Sequence, residues 1–406
     1  MREWQEWSGY TNGKRIKLLR GKAITQAQLA EMTGLSIVTI RKAEQDQAMT
    51  LPTVSKVAAA LGVSVSTVLG QTTPHRGATF GERQILRRLS HAVHDAAAGD
   101  HPLTVEPADL STMSRVIDDA WDLYGASNYS ELGAILPPLL HSVQAAVDVA
   151  NVAQLELAAG ALSDVFLLST YLSNQLESRD LAYAAVSQAR ALAKRSGDPL
   201  RLARVEAARS WVFRRDNRAK ESFELVTRAA AEIEPSYSNT TTEHLTAYGN
   251  LVNHCAVAAS RLGQHHASTA RDYLSQAHAV GARLGREHRI HGGTFGPATA
   301  TVKAVDVKLY TNDVGGALKL IRSHPDLSGL PPTVRDRYLL DVALAQCRAR
   351  MWDASLDTLE EVCLRSPQWA THQAVPALII QSIGAASTSR IRRIASVVGV
   401  QAIPRA

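Results

Sequence analysis

Hydroxyl, aliphatic and cationic side chains follow one another in a short stretch near the start of the chain. In order, they are Ser36, Ile37, Val38, Thr39, Arg41 and Lys42. Arginine and lysine donate hydrogen bonds to phosphates and to acceptors on base edges, and aliphatic groups can contact the methyl group of thymine. A helix that exposes these side chains at its N-terminal end is therefore suited to the major groove of DNA.

Two short helices joined by a tight turn would hold these side chains in place. The pattern predicts a first helix over Gln26–Thr33 and a second helix from Ser36 to about Gln45. Gly34 lies between them, where the absence of a Cβ allows the left-handed conformation of a turn. Ser36 can accept a hydrogen bond from a backbone N–H and so cap the second helix. The sequence therefore predicts a helix-turn-helix.

This stretch resembles the XRE family, the phage-repressor type of helix-turn-helix, over roughly residues 13 to 70. The matching motifs are Thr25-Gln26, Leu29-Ala30, Gly34-Leu35-Ser36, Thr39-Ile40 and Glu44. Domains of this family have five helices, and the remaining three are predicted at Lys14–Arg20, Leu51–Leu61 and Gly62–Leu69. The resemblance implies a domain that binds double-stranded DNA.

The resemblance also implies roles for individual residues. Gln26, at the N-terminus of the first motif helix, would meet phosphate together with backbone N–H groups. Ser36 and Gln45 would contact phosphate as well. Glu44 would be structural and would pair with Arg20 or Arg15.

Four positions of the second helix would face the bases: Ile37, Val38, Arg41 and Lys42. Ile37 and Val38 could contact thymine methyl groups, but they cannot form bidentate hydrogen bonds. The choice of sequence would then depend on Lys42, Arg41 and the shape of the DNA.

The distribution of charge supports this interpretation. Residues 1 to 70 contain nine Lys or Arg and five Asp or Glu, which is +4 of the chain's formal +6. Phosphate contacts require such an excess of positive charge. The rest of the chain is close to neutral, so nucleic acid is not its expected partner.

Composition limits the compartment and the class of protein. The 406 residues contain no run of 18 apolar residues, and the first ten residues lack the apolar region of a secretory signal. The three cysteines, Cys255, Cys347 and Cys363, are far apart and odd in number. We expect reduced thiols in a core, a cytoplasmic protein and no membrane partner.

The chain is predicted to be all-α, with a helix-turn-helix domain at residues 1–70, a linker at 71–81 and a helical domain at 82–406. The large domain shows recurrent breaks, each followed by a helix with a small residue near its start. These breaks lie near Asn128, Ser178, Asn217, His266, Thr311 and Arg350. The pattern resembles degenerate tetratricopeptide repeats, which stack and form a concave groove. The alternative is an irregular helical bundle.

Catalytic and metal-binding motifs are absent from the sequence. There is no phosphate-binding loop, nucleophile elbow or paired-histidine zinc helix. His288 and His291 are three residues apart, but two glycines follow them and no further ligand is near, so we interpret them as part of a solvated loop. We expect no enzyme activity, no cofactor and no metal.

One segment of the large domain is a candidate for binding a ligand. Asn250, Asn253 and His254 share one face of a predicted helix that is otherwise bordered by apolar residues. An asparagine amide can both donate to and accept from a peptide backbone. Four further residues could line or close the same groove: Asn174, Glu206, Trp211 and Phe295. The alternative is that the polar side chains only connect neighbouring repeats, and that Phe295 only precedes a helix.

A DNA reader followed by a tetratricopeptide-like domain resembles the peptide-pheromone-sensing regulators of the RRNPP group and regulators of this composition from actinobacteria. The resemblance implies quorum sensing or a similar response. Our first hypothesis is a homodimeric transcriptional regulator, of the repressor type, that binds a DNA operator and a signalling peptide or small molecule. The second is a repeat scaffold that binds a partner protein and uses the DNA reader as an anchor.

Overall fold

A computed structural model describes residues 7–21, 24–47, 49–71, 80–236, 240–323, 325–383 and 389–398. The structure is 77% helical with almost no strands, so the all-α prediction is confirmed. The first helices are α1 (Asn12–Arg20), α2 (Gln26–Thr33), α3 (Ile37–Glu44), α4 (Leu51–Ala60) and α5 (Val65–Val68). A short 3-10 helix, Trp7–Gly9, precedes them.

Ten longer helices follow among the described residues. They are α6 (Phe80–Ala98), α7 (Leu110–Gly125), α8 (Tyr129–Val149), α9 (Leu155–Gln175), α10 (Arg179–Arg195), α11 (Pro199–Arg215), α12 (Ala219–Glu232), α13 (Thr242–Arg261), α14 (Ala267–Leu284) and α15 (Pro297–Tyr310). A 3-10 helix, Gln264–His266, lies before α14. Two strands, β1 (His288–Ile290) and β2 (Gly293–Phe295), lie between α14 and α15.

Six further helices lie in the part of the chain that the structure describes, up to Val398. They are α16 (Val314–Arg322), α17 (Pro332–Arg348), α18 (Trp352–Arg365), α19 (Pro367–Thr371), α20 (Ala374–Ile383) and α21 (Ser389–Val398).

The chain forms two compact units that do not follow chain order. Unit 1 combines residues 1–77, 308–322 and 336–406, and unit 2 combines residues 78–307 and 323–335. The sequence divided the chain into continuous segments instead, and that division stays a prediction. Residues 72–79 of the predicted linker lie outside the described residues.

Within unit 1, the helix-turn-helix is bonded to the C-terminal helices through amide side chains. Gln381 of α20 donates from Nε2 to the backbone oxygen of Leu69 (2.9 Å) and accepts a hydrogen bond from Asn12 (2.7 Å). Gln71 donates from Nε2 to the backbone oxygen of Gln373 (2.6 Å). These bonds explain why the two ends of the chain belong to one unit.

The N-terminal 3-10 helix is part of the same core. Trp7 is fully buried and donates from Nε1 to the backbone oxygen of Thr67 (3.0 Å). The buried Arg15 donates from Nε to the backbone oxygen of Trp7 (3.0 Å) and from a terminal nitrogen to that of Val68 (3.3 Å). Burial lowers the pKa of Arg15 to about 10. The sequence interpretation began at residue 13 and did not anticipate these contacts.

One close-packed position recurs in the helical hairpins of both units. The fourth residue of five helices is small and fully buried: Ala182, Ser222 and Ala270 in unit 2, and Ala317 and Ser355 in unit 1. Ser222 Oγ donates to the backbone oxygen of Ser210 (3.0 Å), and Ser355 Oγ donates to that of Ala343 (2.8 Å). Both bonds join residues twelve apart. These two hairpins therefore share the same register.

A left-handed turn precedes four of these five helices, α10, α12, α16 and α18, and also α8. The residue two positions before a helix has a positive φ at Ser127, Glu177, Asn217, Asn312 and Arg350. These turns coincide with most of the breaks that the sequence pattern predicts. The turn and the small buried residue occur together at α10, α12, α16 and α18, so these four hairpins share a local geometry.

The segment after α14 corrects one interpretation of the sequence. His288 and His291 belong to a β-hairpin rather than to a solvated loop, because β1 pairs with β2 and puts Arg289 opposite Thr294. His291 is half-buried, with Nε2 3.0 Å from Asp198 and Nδ1 3.8 Å from Asp164. Ion pairing with two carboxylates holds this turn against helices of unit 2.

Buried thiols and apolar helices complete the core. Cys255, Cys347 and Cys363 are buried and form no disulfide, which confirms the predicted reduced core thiols. Helices α8 and α9 are long and apolar enough to span a membrane by length and composition alone. Their most apolar windows are 50% and 83% buried within the structure, and core helices of globular proteins have the same composition.

Candidate DNA interface and candidate ligand site

The local sequence of α2 and α3 explains where both helices begin and end. Thr25 Oγ1 accepts from the backbone N–H of Gln28, whose side chain accepts from the backbone N–H of Thr25, so a capping box begins α2. Gly34 ends α2 with a φ of 61° and a ψ of 29°. Ser36 Oγ accepts from the backbone N–H of Thr39 (3.1 Å) and caps α3. The predicted helix-turn-helix is confirmed.

Glu44 joins α1, α2 and α3. It is 2% exposed, and its Oε1 accepts from Arg20 Nε at 2.7 Å. The Arg20 alternative of the sequence interpretation is therefore confirmed. The other alternative, Arg15, donates elsewhere, to backbone oxygens and to Asn12. Glu44 thus connects the end of α3 to α1 and α2.

The outer face of α3 carries the residues expected to read DNA. Val38 is 54% exposed, and Arg41, Lys42 and Gln45 are exposed as well. Ile37 and Thr39 are half-buried, so they are less available than the sequence suggested. The Thr39 hydroxyl lies 2.9 Å from the Ser36 hydroxyl. The cationic and aliphatic parts of the expected face are brought together on one side of α3.

Two features near this face differ from the sequence interpretation. Gln26 lies at the first position of α2, but its Nε2 donates to Glu44 Oε2 (2.6 Å), so its amide already has a protein acceptor. Met32 of α2, which the sequence interpretation did not select, is 53% exposed. Its position near the end of the helix did not indicate a role in DNA binding, because a single exposed methionine is common.

In unit 2, Asn250 and Asn253 bond to the segment that follows α14. Asn250 Nδ2 donates to the backbone oxygen of Thr294 in β2, and Asn253 Nδ2 donates to that of Thr299 in α15, both at 3.4 Å. Asn253 is 2% exposed, whereas Asn250 is half-buried. The side-chain oxygens of both are buried without a partner. Both asparagines therefore connect elements of the fold.

His254 lies one turn after Asn250 and faces cations. Its Nδ1 accepts from the guanidinium of Arg214, at 3.4 Å from both terminal nitrogens. Burial, followed by the positive charges of Arg214, Lys303 and Arg204, lowers the pKa of His254 well below its usual value. Trp211 lies one turn before Arg214, with its ring centroid 5.0 Å from that of Tyr171.

Asn174 and Phe295, which the sequence also suggested for ligand binding, are both buried. Asn174 is 1% exposed, one turn after Tyr171 on α9, and its Nδ2 has no partner. Phe295 is fully buried with Val252, Ala277 and Ala300, so it belongs to the core and does not close an open groove.

Glu206 is not brought together with Trp211. It accepts from Arg190 Nε at 2.5 Å and from Arg209 at 2.7 Å. It lines a cavity of about 560 Å³ between α10, α11 and α12. The physical reason is helical geometry, because residues five apart on a helix point about 140° away from each other.

The structure shows further residues beside Trp211 that the sequence interpretation did not select. Trp121, Tyr124 and Tyr171 form a cluster of rings, with centroid distances of 5.0 to 5.9 Å. The guanidinium carbon of Arg204 lies 4.8 Å from the Tyr171 centroid and 5.5 Å from that of Trp121. The seven-residue spacing between Arg204 and Trp211 could have indicated this cluster, because residues seven apart lie on the same face of a helix.

Residues 16–68 of the chain match the family model described as helix-turn-helix. The match covers α2 to α5 and most of α1, and it supports a DNA-binding regulator of the XRE type. No curated protein and no solved structure matches the chain. In the part of the chain that the structure describes, no group of three His, Cys, Asp or Glu side chains is placed to hold a metal ion.

Proposed function

We propose that the chain is a sequence-specific transcriptional regulator, of the repressor type, that docks α3 in the major groove of an operator. The proposal rests on the outer face of α3, where Val38, Arg41 and Lys42 are exposed on a helix held by the buried Glu44. Lys42 and Arg41 would donate to base edges, and Val38 would contact a thymine methyl. Ile37 and Thr39 would contribute from the half-buried edge of the face.

Phosphate contacts would position α3. Ser36 and Gln45 lie at its two ends, and Gln26 is the first residue of α2. The N–H groups in the first turn of a helix can bind phosphate. Such contacts fix orientation but carry no information on sequence.

The test is a gel-shift series on duplexes selected from a randomised library. Lys42→Ala should cost about 1–3 kcal/mol on the best site and relax the base preference at one position. Gln26→Ala should weaken binding to all sequences alike. Lys56→Ala is the matched control, because Lys56 is an exposed lysine of α4 in the same domain. Binding of both variants to the best site at the level of the unmodified protein would exclude this docking.

The protein would act as a homodimer, because one reader of this type covers half of a two-fold site. Two readers should contact half-sites about 34 Å apart. Light scattering on the full chain, with and without the selected duplex, tests this proposal. A protein that stays monomeric in both conditions would exclude paired half-sites.

Unit 2 would sense a signalling peptide or small molecule, and its binding would change the affinity for the operator. The shared register of the helical hairpins supports a repeat of the tetratricopeptide kind, whose inner face holds ligands. The cluster around Trp211 and His254 supplies aromatic, amide and cationic groups for such a ligand. The effect on DNA requires different ligand affinities for two arrangements of the readers.

A second candidate is a scaffold in which the repeat surface binds a partner protein and the reader anchors the assembly. Exposed apolar side chains around the start of α9, among them Val149, Val152 and Leu157, favour a contact of this kind. Operator release by a small ligand in a purified system would decide for the sensor over the scaffold.

A further inference from the structure

Arg204 is a buried cation without an anionic partner. It is 8% exposed, and none of the hydrogen bonds or ion pairs of the described residues involves its side chain. Its Nε is buried without a hydrogen-bond partner. A buried guanidinium is costly unless it is paired, and structural arginines accordingly bond to carboxylates or carbonyl oxygens. Arg201, one turn before Arg204 on α11, is structural in this sense, since it bonds to Asp164 and Asp198.

Aromatic rings hold Arg204 in place. The faces of Trp121 and Tyr171 lie 5.5 and 4.8 Å from its guanidinium carbon, and such contacts stabilise a cation without neutralising its charge. Trp211 lies seven residues further along α11, on the same helical face, with its ring next to Tyr171. Tyr171 and Trp211 are both partly exposed, so a flat molecule can reach them.

A second arginine on this face also lacks a carboxylate of its own. Arg214 donates to the Ser210 hydroxyl at 2.7 Å and to His254 at 3.4 Å, which are both neutral partners. Burial, followed by the charge of Arg261, lowers the pKa of Arg214 to about 10. The charge of the Asp306 carboxylate raises the pKa of Arg214, but this carboxylate is itself ion-paired with Arg261 at 3.0 Å. Positive charge therefore accumulates on this face of α11.

Buried donors without a hydrogen-bond partner lie on Trp121, whose ring contacts Arg204, and at the end of α9, which also carries Tyr171. Trp121 Nε1, Asn174 Nδ2 and Gln175 Nε2 are buried without a partner, and Asn174 and Gln175 lie one turn after Tyr171. A ligand rich in acceptors would satisfy them, whereas a second cation would not.

The β-hairpin forms one wall beside these groups. A Cβ at Gly292 would lie 2.1 Å from Cε2 of Trp121, and a Cβ at Gly293 would lie 2.9 Å from Nε of Arg204. Arg289 of β1 bonds to Asp122 of α7 at 2.6 Å and holds the hairpin there. The two glycines allow the backbone to lie directly against the arginine and the indole.

We propose that this face of unit 2 binds an organic anion whose charged group meets Arg204 and whose flat ring packs against Tyr171 and Trp211. The inference deepens the proposed sensing function and rests on it for its biological role. The shared chemistry is a carboxylate or a phosphate on a flat ring, because a guanidinium binds both.

Calorimetry and thermal unfolding of the full chain test the site with four probes. The probes are 1-naphthoate, 1-naphthyl phosphate, the neutral 1-naphthamide, and acetate as an anion without a ring. We expect the naphthoate or the naphthyl phosphate to bind and to raise the melting temperature, and the stronger of the two identifies the anion. Naphthamide and acetate should bind at least about tenfold more weakly than the better of the two anionic probes. A tenfold difference in affinity corresponds to about 1.4 kcal/mol.

Two variants and a matched control locate the binding. Arg204→Met and Trp211→Leu should each weaken binding of the anionic probe by about tenfold. Arg209→Met is the control, because Arg209 lies on the same helix but bonds to Glu206 on another face. Circular dichroism establishes that each variant is folded, and Arg204→Gln, which also removes the charge, takes the place of Arg204→Met if the latter does not fold.

Two results would overturn the site. One is that no anionic probe binds more tightly than naphthamide. The other is that the anion binds the folded Arg204 variants as it binds the Arg209→Met control. Gel shifts without any probe test DNA binding separately, so failure of the anion site and failure of the regulator function are distinguishable.

Discussion

Gln26 donates from Nε2 to Oε2 of Glu44 across 2.6 Å, and the other oxygen of the same carboxylate accepts from Arg20 at 2.7 Å. One buried acid thus connects the start of α2, the end of α1 and the end of α3. The orientation of the proposed recognition helix depends on a carboxylate that does not itself face DNA.

Glu44→Ala should therefore loosen the reader without removing any exposed residue of α3. Loss of one partner from a buried ion pair leaves the other charge unpaired and costs about 3–5 kcal/mol. The lower end applies here because the Arg20 side chain is 17% exposed. Hydrogen exchange of the α1–α3 amides measures the loss, with Glu31→Ala, an exposed acid of α2, as the control. Equal protection in both variants would contradict the proposed role of Glu44.

Gln381→Ala should destabilise the helix-turn-helix from a position more than 300 residues away. The change removes a donor to Leu69 and an acceptor for Asn12, and each lost bond at a partly buried site costs about 1 kcal/mol. Faster hydrogen exchange in α1 and α5 is the expected result. Gln368→Ala, at an exposed position of α19, should leave exchange in these helices unchanged. Unaltered exchange in both variants would show that α20 adds nothing to the reader.

Asn253→Ala should lower the stability of unit 2 by about 1–3 kcal/mol, because the buried hydrogen bond to the backbone oxygen of Thr299 is lost. Asn250→Ala should cost less, since Asn250 is half-buried and water can replace its bond to Thr294. Thermal unfolding of the two variants side by side measures the difference. If Asn250 instead served the ligand, its replacement would spare the melting temperature and abolish ligand-dependent release of DNA.

His291 should stabilise unit 2 more at pH 6 than at pH 9. Burial lowers the pKa of His291, but the hydrogen bonds to Asp164 and Asp198 raise it by more than burial lowers it. The net shift of the pKa is therefore upward. The stabilisation is complete below the unfolded pKa of about 6.5 and is lost as the pH rises through the higher folded value. Arg201, which also faces these carboxylates, reduces the upward shift.

The measurement is the melting temperature of His291→Asn relative to the unmodified protein at both pH values. Asparagine tolerates the positive φ of 44° at this turn. The comparison cancels the contribution of His254, whose lowered pKa acts in the opposite direction. His91→Asn, at an exposed position of α6, serves as the control. A deficit of the same size at pH 6 and pH 9 would contradict the ion pair.

The helix-turn-helix could be predicted because its signals are local. Thr25, Gly34 and Ser36 set the helix ends through bonds to residues at most five positions away, and the structure has the same caps. The bonds of Gln381 and Gln373 to the reader join residues more than 300 apart, and no pattern within a short window indicates them. The sequence did not predict that Trp7 belongs to the core for a similar reason, because its hydrogen-bond partner Thr67 is 60 residues away.

The candidate ligand site could be predicted only in part. Asn250, Asn253 and His254 share a helix face as expected, but the partner of Asn250 comes from a hairpin whose strands have three residues each. Strands that short leave no alternating pattern in the sequence. Glu206 was grouped with Trp211 by proximity in sequence, whereas helical rotation directs it to Arg190 and Arg209. Arg204 was missed because the absence of a partner can be seen only in three dimensions.

The three buried cysteines make the protein suitable for site-directed spin labelling. Burial raises the pKa of the Cys255 and Cys363 thiols to about 12, so little thiolate is available to react with a nitroxide reagent at neutral pH. A single cysteine introduced at exposed Gln45 would carry the only reactive thiol among the described residues. Pulsed dipolar spectroscopy on such a preparation would then report the separation of the two α3 helices in the proposed homodimer, without any change to the native core.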